Sequence, residues 1–168
     1  MRPQDILMPT PSGLFCKPGG FYIDPVKPVD RALITHGHSD HARAGHGAVL
    51  ATRETLDLMR LRYGDSFAGA AQPLAYGETL GIDGVTVSLH PAGHMLGSAQ
   101  IRIEAAGTRL VVSGDYKNVA DPTCRNFELV PCEIFVTEAT FGLPVFRHPE
   151  TGSEIDRLLR RLPGTRRP

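Results

Sequence analysis

The segment Thr35-His36-Gly37-His38-Ser39-Asp40-His41 carries three imidazoles and a carboxylate between His36 and His41. These are borderline nitrogen and oxygen donors, the set that zinc prefers. In an extended segment, residues two apart point the same way, which aligns His36, His38 and Asp40. His41 lies three residues beyond His38, so a turn starting there returns it to the same space. The donors are too many for one tetrahedral site that also keeps a water, so the spacing argues for two adjacent metal ions. Two later positions extend the set. His94 sits in Pro91-Ala92-Gly93-His94-Met95-Leu96-Gly97-Ser98, and Asp115 sits in Ser113-Gly114-Asp115-Tyr116. A glycine beside each lets the backbone approach a crowded site. A further histidine and a carboxylate able to bridge are what two metals need. Three other histidines fall outside this set: His46 is expected in a loop, His90 on the solvated face of a strand, and His148 stands near the end of the chain.

Elements must bring these residues together, and the sequence suggests which. Ala32-Leu33-Ile34 is continuously apolar, the mark of a strand buried on both faces, and it runs straight into the histidine cluster. Ligand sites in open α/β sheets lie at such C-terminal strand ends. Upstream, Lys17-Pro18-Gly19-Gly20 between Leu14–Cys16 and Phe21–Ile23 signals a hairpin. Ala48-Val49-Leu50 predicts another strand. Thr52 is placed to cap a helix through Tyr63, with Leu56, Met59 and Tyr63 on its apolar face and Gly64 as its stop. Val85, Val87 and Leu89 alternate with polar residues ahead of His94, and Ile101 and Ile103 do the same. Leu110-Val111-Val112 precedes Asp115, and Ile134-Phe135-Val136 predicts a further buried strand. Thr151 and Glu154 fit a capping box for a helix with the stripe Ile155, Leu158, Leu159 and Leu162.

Composition bounds the rest. The 168 residues include 18 basic and 18 acidic side chains, for zero net charge, so a phosphate-binding surface must be local or metal-based. Eighteen glycines and 14 prolines predict a loop-rich fold. No apolar run approaches the ~20 residues of a membrane span, and no signal-peptide pattern follows Met1. Cys16, Cys124 and Cys132 form no metal-type pair and no disulfide framework, as expected of reduced thiols in a cytoplasmic protein.

His36-Gly37-His38-Ser39-Asp40-His41, with His94 and Asp115, resembles the signature of the metallo-β-lactamase superfamily. Asp24, in Phe21-Tyr22-Ile23-Asp24-Pro25, matches its first acidic motif. Thr137-Glu138-Ala139-Thr140-Phe141-Gly142 looks like the motif that opens the β-CASP region of its nucleic-acid-processing branch. Taken with Gly13–Cys16, Asp121-Pro122-Thr123-Cys124 and Phe141–Pro144, the pattern is most similar to bacterial ligase-associated DNA exonucleases, from about Thr10 to His148.

The resemblance implies a mixed α/β fold, an αββα sandwich, here incomplete. Residues 1–137 would form the N-terminal metallo-β-lactamase region and 138–168 the start of a truncated β-CASP region. It implies two Zn2+, with Mn2+ as the alternative ion and the second site incomplete in this chain. His36, His38 and His94 would hold one metal, Asp40 and His41 the other, with Asp115 bridging. A hydroxide between the metals would attack the phosphodiester, with Asp40 orienting or relaying the proton. Asp24 would support the ligand loop from behind, and Glu138 would position the site rather than ligate. The implied substrate is DNA in preference to RNA, with functional association to a DNA ligase and helicase and no membrane. Members of that branch continue through a β-CASP domain to later histidine motifs that this chain lacks, so the chain is expected to be an N-terminal part. His148 stands too early to replace those motifs. Arg157, Arg160, Arg161, Arg166 and Arg167 either form a solvated helix face or touch a nucleic-acid backbone. Two other functions stay open: a small-molecule hydrolase of thioesterase or lactamase type, and an inactive metal-binding half-domain.

Overall fold

A computed structural model describes residues 2–140, 142–146 and 149–161. The chain divides into two compact units, Met1–Glu138 and Ala139–Pro168.

The first unit contains two facing sheets. The first sheet is ordered β1(Leu7–Thr10), β2(Gly13–Cys16), β3(Phe21–Ile23), β4(Arg31–Leu33), β5(His46–Ala51) and β6(Ala68–Pro73). Its hairpin strands are antiparallel, and β3 to β6 run parallel. The second is ordered β11(Ile134–Val136), β10(Thr108–Val112), β9(Ala99–Ala105), β8(Val85–Pro91) and β7(Thr79–Ile82). Only β10 and β11 are parallel in it. Short helices complete the unit: α1(Pro3–Ile6) and α2(Arg53–Tyr63).

The period-2 rule explains how the first sheet is covered on both faces. Leu33 and Leu50 point into a core shared with Val85, Val87, Leu89, Ile101, Ile103 and Leu110 of the second sheet. Their neighbours Ala32, Val49 and Ala51 point the other way, onto Leu56 and Met59 of α2 and onto Phe67. The layers are therefore helix, sheet, sheet. Strands β8 and β10 both run antiparallel to β9, so they end at one edge of the sandwich, and the backbone amide of Ala99 there donates to the Thr35 carbonyl at 2.7 Å. That bond fixes the end of β4 to the start of β9.

Several expectations need correction. Tyr63 is exposed, and Thr55 takes the buried position on α2. Strand β11 is an edge strand with Phe135 exposed, not a buried one. In the second unit, α3(Thr151–Arg161) begins at Thr151, so no capping box forms. Glu150 caps it instead, accepting from the amides of Gly152 at 2.9 Å and Ser153 at 2.7 Å. Ile155, Leu158 and Leu159 are exposed. Leu162, Phe141, His148, Arg166 and Arg167 lie outside the described residues. The three cysteines are free. Among the described residues, no helix is long and apolar enough to cross a membrane.

Candidate metal centre

Three strand ends supply the donors. The segment after β4 delivers His36, His38, Asp40 and His41; the loop after β8 delivers His94; the loop after β10 delivers Asp115. The segment after β4 bends at Thr35 and again at Gly37 and His38. There a turn closes, with the amides of His41 and Ala42 both donating to the His38 carbonyl at 3.2 and 2.7 Å. This turn brings His41 back as expected. Asp40 lies within this turn, with its Oδ2 3.6 Å from His41 Nε2.

Two donor sets result. In the first, His36 Nε2 stands 3.1 Å from His38 Nδ1, which stands 3.2 Å from His94 Nε2. Asp115 Oδ2 lies 3.9 Å from His36 Nε2 and 3.7 Å from His94 Nε2. All four donor atoms fall within 4.8 Å of one another. Ligands of a tetrahedral zinc at 2.0–2.1 Å are separated by about 3.3–3.4 Å. The separations of 3.1–3.9 Å lie near that value, so these four side chains could close on one such ion with small adjustments. In the second set, His41 Nε2 lies 3.6 Å from Asp40 Oδ2 and 3.6 Å from Asp115 Oδ1. The two oxygens of Asp115 thus face different sets, the arrangement a bridging carboxylate needs.

The surroundings bias the charges. Burial, then the neighbouring His41, pushes the pKa of fully buried His36 down to about 3. Burial likewise lowers that of His94. Burial also works against charging His41, but its bond to Asp24 and the attraction of Asp24, Asp115 and Asp40 outweigh it, so its pKa rises. Asp40 is 73% exposed; a small burial cost is outweighed by its own backbone and the three imidazoles, and its pKa falls. Neutral imidazoles and ionised carboxylates are the forms that bind metals.

Asp24 lies behind the donors, not among them. It sits in left-handed backbone, with φ +43, where aspartate is among the better tolerated residues. Its Oδ1 accepts from the Thr35 amide at 2.8 Å. Its Oδ2 accepts from the Thr35 hydroxyl at 2.6 Å and faces His41 Nδ1 at 2.8 Å. Glu138 lines a cleft of 340 Å3 together with Asp24, Asp40, His41 and Asp115. It is absent from the four-residue donor cluster.

Glycines make the crowding possible. Gly114, at φ +56, packs its α-carbon against Thr35 so closely that a Cβ would stand 2.7 Å from the Thr35 Cβ. Gly93, at φ +72, is pressed against the Phe127 backbone. The His94 loop is also held from α2, where the hydroxyls of Thr52 and Thr55 donate to the Gly97 carbonyl at 2.7 and 3.1 Å. Inside that loop the Ser98 hydroxyl accepts from the amides of His94 at 3.1 Å and Met95 at 3.2 Å. Thr52 and Thr55 give no signal of this role beyond the cap pattern of Thr52, because their partner Gly97 is more than 40 residues away.

The two remaining histidines among the described residues, His46 and His90, depart from expectation. His46 is buried, not in a loop: it opens β5, where its Nδ1 accepts from the Val29 amide at 3.3 Å. His90 is not simply solvated, because its Nδ1 pairs with Glu128 at 2.9 Å and its Nε2 with Ser88 at 3.0 Å.

The profile of the metallo-beta-lactamase superfamily matches residues 23–165. A "Probable DNA ligase" of Opitutus terrae is 34% identical over 145 residues, covering 86% of this chain and 14% of that protein. "Ribonuclease TTHA0252" of Thermus thermophilus is 33% identical over 147 residues, covering 73% of this chain and 34% of that protein. "Endoribonuclease YSH1" of Yarrowia lipolytica is 29% identical, covering 90% of this chain and 21% of its own length. The chain therefore spans between 14% and 34% of the length of these curated relatives, all named as nucleic-acid enzymes. Among solved structures, the E377D mutant of the β-hydroxylase CmlA shares the fold with a TM-score of 0.51 at 20% identity, over 71% of this chain and 32% of that one. The histidine and aspartate cluster at the sandwich edge, the two facing sheets and the profile match agree: the chain belongs to the metallo-β-lactamase superfamily.

Proposed function

We propose that this chain carries the metal-binding part of a zinc-dependent phosphodiester hydrolase, a DNA exonuclease of the β-CASP branch. The observation that carries this reading is the division of Asp115, with Oδ2 toward His36 and His94 and Oδ1 toward His41. His36, His38, His94 and Asp115 would hold one ion; Asp40, His41 and Asp115 would hold the second. Bound there, zinc would supply Lewis acidity toward a phosphoryl oxygen and would make a nearby water easier to deprotonate.

The chain's own groups do the rest. Asp40 is ionised and open to solvent, so it can accept the proton of an entering water and pass it outward. Asp24 holds the ligand segment rigid through its bonds to Thr35 and His41. Glu138 borders the cleft beside the second set and orients what enters it. With zero net charge, substrate phosphates would be held locally at this edge rather than by a basic surface.

DNA is proposed on the 34% identity to the ligase-named relative, and the ribonuclease-named relatives, at 33% and 29% identity, make RNA the competing substrate. Residues 138–168 are read as the opening of a β-CASP region, and association with a DNA ligase and helicase in the cytoplasm follows from the same reading. The test is hydrolysis of labelled single-stranded DNA, RNA and a thioester by the zinc-loaded protein. DNA cleavage that chelation and His38→Ala both abolish supports the proposal. RNA cleavage alone reassigns the substrate, thioester cleavage alone favours a small-molecule hydrolase, and no turnover despite bound zinc favours a non-catalytic metal-binding unit.

A further inference from the structure

Thr35 precedes the first donor, is 1% exposed, and touches both Asp24 and His36. A threonine hydroxyl has one hydrogen to donate and lone pairs to accept with, whereas an ionised carboxylate only accepts. At 2.6 Å from Asp24 Oδ2, the Thr35 hydrogen is committed to the carboxylate. The same oxygen lies 3.0 Å from His36 Nδ1. With its hydrogen spent, it can only accept there, so Nδ1 must carry the proton. The lone pair of His36 is then on Nε2, the nitrogen that faces His38 Nδ1 at 3.1 Å.

His41 receives the same instruction directly. Its Nδ1 lies 2.8 Å from that same Asp24 oxygen, so Nδ1 carries the proton and Nε2 faces Asp40 and Asp115. One carboxylate oxygen therefore reaches both donor sets, at His41 by contact and at His36 through a hydroxyl. Such partners of ligating histidines fix tautomer and ring orientation.

We infer that Thr35 is a positioning residue whose hydroxyl relays Asp24 to His36 and holds that imidazole in the tautomer able to bind metal. The inference rests on His36 being a metal donor, but its test does not depend on catalysis. Thr35→Val keeps the shape and removes the relay; Thr35→Ser keeps the relay and removes a methyl group. Zinc affinity is measured by chelator competition for all three proteins. Long-range 1H–15N spectra of the metal-free proteins read the His36 tautomer.

The inference predicts an Nδ1-protonated His36 in the unaltered protein. It predicts an affinity loss of about 10–100-fold in Thr35→Val, with a redistributed tautomer, and an affinity within about threefold of the original in Thr35→Ser. An Nε2-protonated His36 in the unaltered metal-free protein overturns it, whether or not either variant folds. Equal losses in the Val and Ser variants, or an unchanged affinity in Thr35→Val, also overturn it. If the unaltered protein binds no zinc, the metal-site reading fails while the spectra still decide the relay.

Discussion

Gly114→Ala tests whether the edge of the sandwich is as crowded as its geometry requires. The added Cβ would stand 2.7 Å from Thr35 Cβ, 2.9 Å from its hydroxyl oxygen and 3.0 Å from its methyl carbon. Thr35 cannot retreat, because its amide and hydroxyl are bound to Asp24 and its carbonyl to Ala99. The backbone adds a second cost, since φ +56 is left-handed and strains any side chain with a Cβ. That conformation costs about 1–2 kcal/mol, and forcing a methyl into a packed site costs about 1–3 kcal/mol more. The sum is roughly 2–5 kcal/mol, or a fall of about 4–20 °C in melting temperature for a chain of this size. Because displacement of Thr35 disturbs Asp24 and His36 together, zinc affinity should fall at least about tenfold. Gly107→Ala is the control: its φ is +76, and its added Cβ meets nothing within 4 Å. It should carry only the conformational cost and leave zinc affinity unchanged. Urea titrations and chelator competition read both effects. A loss below about 1 kcal/mol in Gly114→Ala, or equal effects in the two variants, would refute the reasoning.

Asp24→Asn should weaken binding at the second donor set by about 10–100-fold, because an amide nitrogen at the Oδ2 position would donate to His41 Nδ1 and leave the proton on the ligating Nε2; calorimetric titration checks this. The metal-free protein should lose stability on acidification from pH 6.5 to 5. Buried His46 and His36 have lowered pKa values, so the unfolded chain takes up protons that the folded chain refuses, at up to about 1.4 kcal/mol per pH unit for each. His41 opposes this, since its raised pKa favours the folded state at low pH and that contribution fades as pH rises through the folded value. Urea midpoints against pH measure the balance, and His46→Gln should flatten the slope. Met59→Ala, emptying a fully buried position on the inner face of α2, should cost about 2–5 kcal/mol in a denaturant titration.

The candidate donors could be picked out because three imidazoles and a carboxylate crowd one short segment, and because β8 and β10 announce themselves by alternating or continuous apolar residues ahead of His94 and Asp115. The hairpin and α2 were legible through Gly19–Gly20 and the Thr52 cap. What escaped depends on partners far along the chain. Strand β6, Ala68–Pro73, is largely exposed and has no hydrophobic period; it forms because β5 offers a free parallel edge. Strand β7, with Gly81 at its centre, is similarly recruited by β8. Burial of His46 goes with its bond from the Val29 amide, a partner 17 residues away that residue spacing does not specify. The supporting roles of Thr35 and Thr55 are carried by hydroxyls whose partners, Asp24 and Gly97, are 11 and 42 residues away and leave no pattern in the sequence.

The most direct test of the account is the number of zinc ions bound by the purified chain and by its variants, read by native mass spectrometry and calorimetry. The account predicts two ions in separate steps, the tighter at the set of four donors. His38→Ala should remove the tight step, His41→Ala the weak one, and Asp115→Ala should impair both. A single ion that persists in His38→Ala, or two ions unaffected by Asp115→Ala, would contradict the shared-carboxylate centre.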